Sequence, residues 1–482
     1  MNLQLLSLEW GVLALAGLLF FGDLFTQDGV RKRFLGWLSA LGLAGLLGFA
    51  LAQGAPQGAV SAFGGMFVAD GLGYVFKVLV LAAALLTALA SLEHLDQKRV
   101  LWQGEYYFLL AMVTLAMMLM ASAGDLLSLY VALEFNTLGF YALVAILKGR
   151  SLVSSEAGLK YLILGALASG LLLFGLSLIY GLSGTLALPA LAAWSKGAAL
   201  TPVLGLALAM VLAGFAFKVS LAPFHMWAPD VYQAAPTPIT AFLSVASKAA
   251  GFAAIIRVLL AAFGPAAAIW VKLAMALMAV TFIWANLVAL KQTNLKRLLA
   301  YSSVAQAGYL MIGIIAGTEL GLQATLFYLL VYLFTNYAAF QVAMLVAADS
   351  GRDDIESFSG LANRNPVLAL VMLSAMLSLA GIPPFGGFFG KFYLFAAGVE
   401  AGLAQGRPWL IGLVGFAVVM SIVSLYYYLV VVKRMYIDAE ATQSKVPSSW
   451  TARATLAVCA FFILATGILP SPFLLWLKQA LH

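Results

Sequence analysis

Apolar residues fill this chain in long runs rather than in the alternating or one-faced patterns of soluble folds. A helix crosses a bilayer in about 20 apolar residues. Runs of that kind follow one another near 5–22, 34–53, 72–92, 105–123, 126–147, 158–181, 201–233, 237–262, 267–290, 295–316, 320–348, 366–400, 409–433 and 452–476. They predict an all-α polytopic membrane protein with about fourteen transmembrane helices.

Two runs are too long for one span. Residues 201–233 carry Pro223 and Pro229, and 366–400 carry Pro383 and Pro384, with Lys218 and Lys391 close by. A broken helix at membrane depth is tolerated only where protein or a polar cavity surrounds it. These are the seventh and twelfth runs, and an odd offset means that the second crosses the membrane in the opposite direction. The pattern predicts two inverted five-helix repeats, helices 4–8 and 9–13. The corresponding units are an N-terminal three-helix segment (1–103), a first repeat (104–262), a second repeat (263–436) and a C-terminal helix (437–482).

Charge tests the count. The basic clusters at 31–33, Lys98–Arg99, Lys148 and Arg150, Lys291, Arg352 and Arg364, and Lys433–Arg434 with Lys445 all follow odd-numbered spans. Even-numbered spans are followed by scattered charges such as Lys196 and Arg407. By the positive-inside pattern both termini lie on the outer side, periplasmic in a bacterial inner (plasma) membrane. The first run lacks the basic start and small-residue cleavage site of a signal peptide, so it reads as a retained span.

Composition agrees. The chain has 482 residues, of which 64% are hydrophobic and 9% charged, too few polar groups to cover a soluble surface. Its formal charge of +7 belongs to loops and forms no basic stripe for nucleic acid. Cys459 is the sole cysteine. No cysteine cluster, paired haem histidine or dinucleotide-binding glycine motif is visible, so no cofactor or metal is expected in this chain.

Ionisable groups inside the apolar runs are the candidate chemistry. A lysine at the bilayer centre costs roughly 3 kcal/mol on insertion scales, so it needs a partner, a wet cavity or a task. Glu134 lies in the middle of the fifth run, with Lys218 as its candidate partner; such a pair has coupled protonation. Lys248 sits among small residues in the eighth run, with no carboxylate within a helical turn. An amine buried there gives up its proton more readily. Lys391 follows GIPPFGGFFG, whose glycines at 386, 387 and 390 are expected to let the chain unwind and turn carbonyls toward a cavity. The GK pair at 390–391 is not a phosphate loop, because Phe385 and Phe392 occupy required Gly and Ser/Thr positions. Lys160 is either an interfacial anchor or a group approaching Glu134 from the sixth run. His225, beside the first break, is either a relay or a structural hydrogen-bonding group. Lys77, Lys296 and Arg297 read as interfacial anchors, and Asp230 as the cap or end of a half-helix. Tyr301, Ser302, Ser303 and Gln306 line the tenth run and can orient water without storing charge.

The stretches FKVSLAPFHMWAPDVYQAAPTPITAFLSVASKAAGF, EAGLKYLILGALASGLLLFGLSLIYG, NLKRLLAYSSVAQAGYLMIG and LAGIPPFGGFFGKFYLF resemble subunit N of bacterial NADH–quinone oxidoreductase, the respiratory complex I. The resemblance covers about 68–436. It implies one of several antiporter-like subunits of a membrane arm, surrounded by lipid and by further subunits of its kind. It implies proton translocation coupled to quinone reduction elsewhere, with NADH, FMN, iron–sulfur clusters and quinone held by other subunits. By position, Glu134, Lys218, Lys248 and Lys391 match the family's glutamate of helix five and lysines of helices seven, eight and twelve. Lysine at the last position favours subunit N, since a sister subunit usually carries glutamate there. Gln306 departs from the histidine that many members carry and matches cyanobacterial and chloroplast relatives, which keeps open a photosynthetic-type ferredoxin–plastoquinone complex. A subunit of a multi-subunit sodium–proton antiporter is the other alternative, disfavoured by the shortage of mid-span carboxylates for a hard cation. A non-transporting membrane scaffold is a third.

Overall fold

Backbone removed from water must satisfy its N–H and C=O groups within its own segment, so each apolar run becomes a helix. A computed structural model describes residues 3–26, 32–98, 100, 102–147, 152–199, 201–439 and 445–482. Of the basic residues that set the predicted orientation, Arg31, Arg99, Lys148 and Arg150 lie outside the described residues. Among those described, 13 helices are long and apolar enough to cross a membrane. The remaining span, the twelfth, is made of two pieces, Pro366–Ala380 and Gly386–Ala404. The eighth (Thr237–Ala262), tenth (Leu295–Ala316) and eleventh (Glu319–Ser350) spans are buried all round and form the centre. The first, second, ninth and thirteenth keep most of their surface outward, toward lipid or neighbours.

The two broken spans are built alike. The first half of the seventh, Pro202–Val219, ends at Ser220 in the left-handed conformation (φ 64°). There Leu221 N donates to Ala216 O and Ser220 N to Phe217 O. The first half of the twelfth ends at left-handed Gly381 (φ 85°), with Ile382 N on Leu377 O and Gly381 N on Ser378 O. Every partner is shifted by the same number of positions, and the pattern is that of a helix C-terminus closed by a left-handed residue. A second pair of matched features joins the fifth and tenth spans. Their N-termini, capped by Asp125 and Asn294, each pair with a later loop through an isolated antiparallel bridge, Asp125 with Ala187 and Asn294 with Asp354.

Local detail departs from the sequence reading in five places. Pro229 does not break the seventh span; it lies in the first turn of its second half, Trp227–Ala234, where a missing N–H is harmless. Glycines 386, 387 and 390 are helical, and the unwound stretch is 381–385. They allow close approach instead: a Cβ on Gly387 would lie 1.7 Å from Ser378 O. The eighth span contains two π-helical stretches, Leu243–Ser247 and Ile256–Ala262. A helix at Leu188–Gly197 and a hairpin pairing Val60–Ala62 with Phe67–Ala69 occupy connections that apolar runs do not mark. The final span stops at Ile468, and a separate helix, Pro470–Leu481, follows.

Gly387→Ala tests the close contact of the two half-helices. Overpacking of this kind costs about 1–3 kcal/mol, so a lowered melting temperature and reduced recovery of the protein are expected. Gly415→Ala, where a Cβ meets nothing within 4 Å, should change neither.

Candidate functional site: a polar axis across the interior

Lys218 stands in the last turn of the first half of the seventh span and is 4% exposed. Its ammonium donates to Asn136 Oδ1 at 2.7 Å and Thr137 Oγ1 at 3.1 Å, both on the fifth span. The direct pair with Glu134 expected from the sequence does not form. Glu134, two positions before Asn136 and three before Thr137, makes no ion pair with Lys218. It is half-buried, on the flank where Val131 and Leu138 are exposed, and its buried Oε1 has no hydrogen-bond partner. Gly251 of the eighth span makes room for the Lys218 stem, since a Cβ there would meet Lys218 Cγ at 3.2 Å.

Lys248 follows the first π-helical stretch directly and donates to the backbone carbonyl of Ser303. π-bulges of this sort are frequent at functional sites. From Ser303 onward the tenth span carries a ladder of side-chain groups. Tyr332 donates to Ser303 Oγ at 2.8 Å, and Tyr232 lies 3.4 Å from the same oxygen. Ser302 Oγ lies 2.5 Å from the Tyr428 hydroxyl. Gln306 donates from Nε2 to Tyr428 Oη (3.3 Å) and Leu379 O (3.2 Å), and accepts from Tyr328.

Lys391 closes the series. Its ammonium donates to Leu379 O (2.8 Å), Ala380 O (3.2 Å) and Ser421 Oγ (2.9 Å) and sits 4.9 Å from the Tyr309 ring centroid. The two carbonyls belong to the end of the preceding half-helix, where the partial negative charge of the helix dipole gathers. The carbonyls expected to turn toward a cavity at glycines 386, 387 and 390 do not do so, because those glycines are helical; the free carbonyls are those of Leu379 and Ala380. A cavity of about 300 Å³ borders Lys391 and opens sideways between the exposed Phe392 and Ile422.

Other candidates are placed differently. Lys160 does not approach Glu134: it is half-exposed and ion-paired with Glu156 Oε1 (2.7 Å) and Asp230 Oδ2 (3.1 Å). Asp230 caps nothing; it sits in the first turn of its half-helix and also binds Arg297 at 2.6 Å. His225 is buried in the first break, edge-on to Trp284 and Tyr301, and neither ring nitrogen has a well-formed hydrogen bond.

Two lysines read as anchors are interior. Lys296 is 4% exposed and donates to Ala235 O at 2.9 Å. It borders a cavity of about 600 Å³ with His94, Lys98, Gln233 and Asp353, at the ends of the third, seventh and eleventh spans. Its place at the start of the tenth span made it look interfacial, and only the returning half-helix covers it. Lys77 is buried against Glu9 of the first span at 2.7 Å, with Phe67 of the hairpin over its ammonium at 4.8 Å. Arg257, also unanticipated, grips Asp70 with both Nη atoms and donates from Nε to Ala121 O. Tyr428 had no distinguishing signal: Tyr426, two residues earlier, is 64% exposed on the same helix.

Buried amines in separate spans, two of them flanking matched helix breaks, belong with what sequence and structure comparisons find. The family profile described as NADH:quinone oxidoreductase/Mrp antiporter, TM, matches residues 123–423. The chain is 45% identical over 477 residues to NADH-quinone oxidoreductase subunit N of Moorella thermoacetica, covering 98% of this chain and 96% of that protein.

The chain belongs to the NADH-quinone oxidoreductase subunit N family.

Membership extends to the cyanobacterial branch: NAD(P)H-quinone oxidoreductase subunit 2 of Synechococcus elongatus is 42% identical over 423 residues, covering 85% of this chain and 79% of that one. A chain of respiratory complex I from Thermus thermophilus shares the fold with a TM-score of 0.81 at 36% identity, covering 98% of each chain. The family reading made from sequence motifs is thereby correct. Like its family, this chain is an antiporter-like membrane subunit that works among other membrane-arm subunits.

The Glu9–Lys77 pair gives a test within the N-terminal helices. Removing one partner of a buried pair costs about 3–5 kcal/mol because the other charge is left alone. Lys77→Met should therefore lower the melting temperature strongly, and adding Glu9→Gln should restore much of it.

Proposed function

We propose that this subunit carries protons across a bacterial inner membrane along the axis Glu134–Lys218–Lys248–Lys391, as part of a proton-translocating respiratory NADH-quinone oxidoreductase. Electron transfer from NADH through FMN and iron–sulfur clusters to quinone occurs in other subunits, and this chain holds no redox centre. Both termini face the periplasm, and helices 4–8 (104–262) and 9–13 (263–436) act as the two repeats. A cytoplasmic proton reaches Lys218 and Glu134, passes Lys248 and leaves outward from Lys391. His225 lies beside the route at the first break. Lys160, held by Asp230, fixes the half-helix rather than moving protons.

The observation that carries this reading is the choice of ligands. Lys218, Lys248 and Lys391 each lean on neutral oxygens, amide, hydroxyl or carbonyl, and among the described residues none touches a carboxylate. A neutral oxygen steadies the ammonium yet leaves no naked charge when the proton departs. Charge change at one amine alters proton affinity at the next. The cavity at His94 and Lys296 supports a wet cytoplasmic opening, since two of the spans that end there, the third and the eleventh, are followed by basic residues.

The cyanobacterial resemblance and Gln306 favour a second reading that differs only in the electron donor. Co-purifying subunits decide it, by whether they bind NADH or accept electrons from ferredoxin.

In the assembled complex reconstituted into vesicles, Lys218→Ala or Glu134→Ala should remove most proton pumping driven by quinone reduction. Undiminished pumping with normal coupling would exclude this role. Pumping should also persist without sodium; a strict sodium requirement would instead favour sodium–proton antiport.

A further inference from the structure

We infer that Gln306 is an insulating latch between Lys248 and Lys391, and that water must displace its amino end before a proton can pass. The inference rests on the proton-carrying role proposed above and names a residue that controls the middle of the route.

Gln306 is 1% exposed, at the centre of the tenth span. Its amide lies between the two lysine environments. On one side, Tyr428 joins it to Ser302, next in sequence to Ser303, whose carbonyl holds Lys248. On the other side, Leu379 O accepts from both Gln306 Nε2 and Lys391 Nζ. Hydrogen-bonded groups thus run from Lys391 through Leu379 O, Gln306 and Tyr428 to Ser302, one residue from the carbonyl that holds Lys248, and the amide is the link between the two ends.

That link cannot conduct. Hydroxyl groups both donate and accept, so a proton can arrive on one side of a tyrosine or serine and another leave from the far side. An amide divides the two roles between separate atoms, with oxygen accepting and nitrogen donating. Leu379 O is an acceptor only. Both amide N–H groups are engaged, so the closed arrangement satisfies every donor while it stops proton hopping.

Oε1 accepts from the Tyr328 hydroxyl, while the two Nε2 contacts, at 3.2 and 3.3 Å, lie at or beyond the long end of the usual range. The nitrogen end is thus held only by long bonds. A swing about the Tyr328 contact uncovers Leu379 O and the Tyr428 hydroxyl together, and these two oxygens give a water molecule the polar partners it needs. Gln306 does not itself carry the proton; it is a positioning residue for that water.

The test uses the whole complex in vesicles, comparing parent, Lys391→Met, Gln306→Ala, Gln306→Met and the double variant Gln306→Ala/Lys391→Met, each checked for assembly by subunit composition. Three quantities are read: collapse of an imposed pH gradient without substrate, protons pumped per electron, and electron-transfer rate. Gln306→Ala leaves space beside polar groups for water, so a several-fold faster collapse and fewer protons per electron are expected at unchanged electron transfer. Gln306→Met fills the same space with apolar atoms and should add no leak. The leak should vanish in the double variant, because it runs through Lys391; a packing defect would leak regardless of that lysine. If Gln306→Ala holds a gradient as well as the parent does, or if its leak survives Lys391→Met, the latch is excluded. If the parent pumps and Lys391→Met leaves pumping intact, the proposed function fails first, a result distinct from failure of the latch alone.

Discussion

An ammonium inside a bilayer protein has to be solvated by something other than water, and the rest of this structure is arranged around that need. Desolvating a charge is expensive unless hydrogen bonds replace the lost water. Here the replacement is mostly backbone. Lys391 rests on the carbonyls of Leu379 and Ala380, Lys248 on that of Ser303, and Lys296 on that of Ala235, the residue that ends a half-helix. The last carbonyls of a helix have no partner within it, and the broken spans supply such ends to Lys391 and Lys296 at a depth where an intact helix would offer none. Lys248 instead shares a carbonyl inside the unbroken tenth span.

The same molecule shows the other solution. Lys77 faces Glu9, and Arg257 faces Asp70 in a two-pronged contact. Opposite charges at close range attract strongly where water is excluded. These pairs tie the hairpin and the first and third spans to the repeats. They suit fastening, whereas the axis amines, on neutral oxygens, suit exchange.

Matched frameworks carry unmatched chemistry. Both breaks end in the same pair of backbone bonds around a left-handed residue, Ser220 in one and Gly381 in the other. The tenth residue after each is Asp230 and Lys391. Asp230 is taken up by Arg297 and Lys160 near the surface, whereas Lys391 turns inward onto carbonyls. The backbone thus repeats while each half receives its own charges.

Span number, the two breaks, the membrane class and the family were legible in the sequence, because each depends on local composition: an apolar run of sufficient length must be helical in lipid, and a proline in its middle must interrupt it. The lysines of the axis were visible for the same reason, as charges out of place. Which oxygen each lysine uses was not. Whether Lys218 meets Glu134 or Asn136 turns on rotation of the fifth span by part of a turn. Whether Lys296 is at the surface turns on where a half-helix returns, and whether a tyrosine faces Gln306 or lipid turns on its angle around the thirteenth span. Hydropathy is nearly uniform around these helices and carries no record of facing. Packing between spans distant in sequence decided those contacts, and with them the path that joins the buried amines.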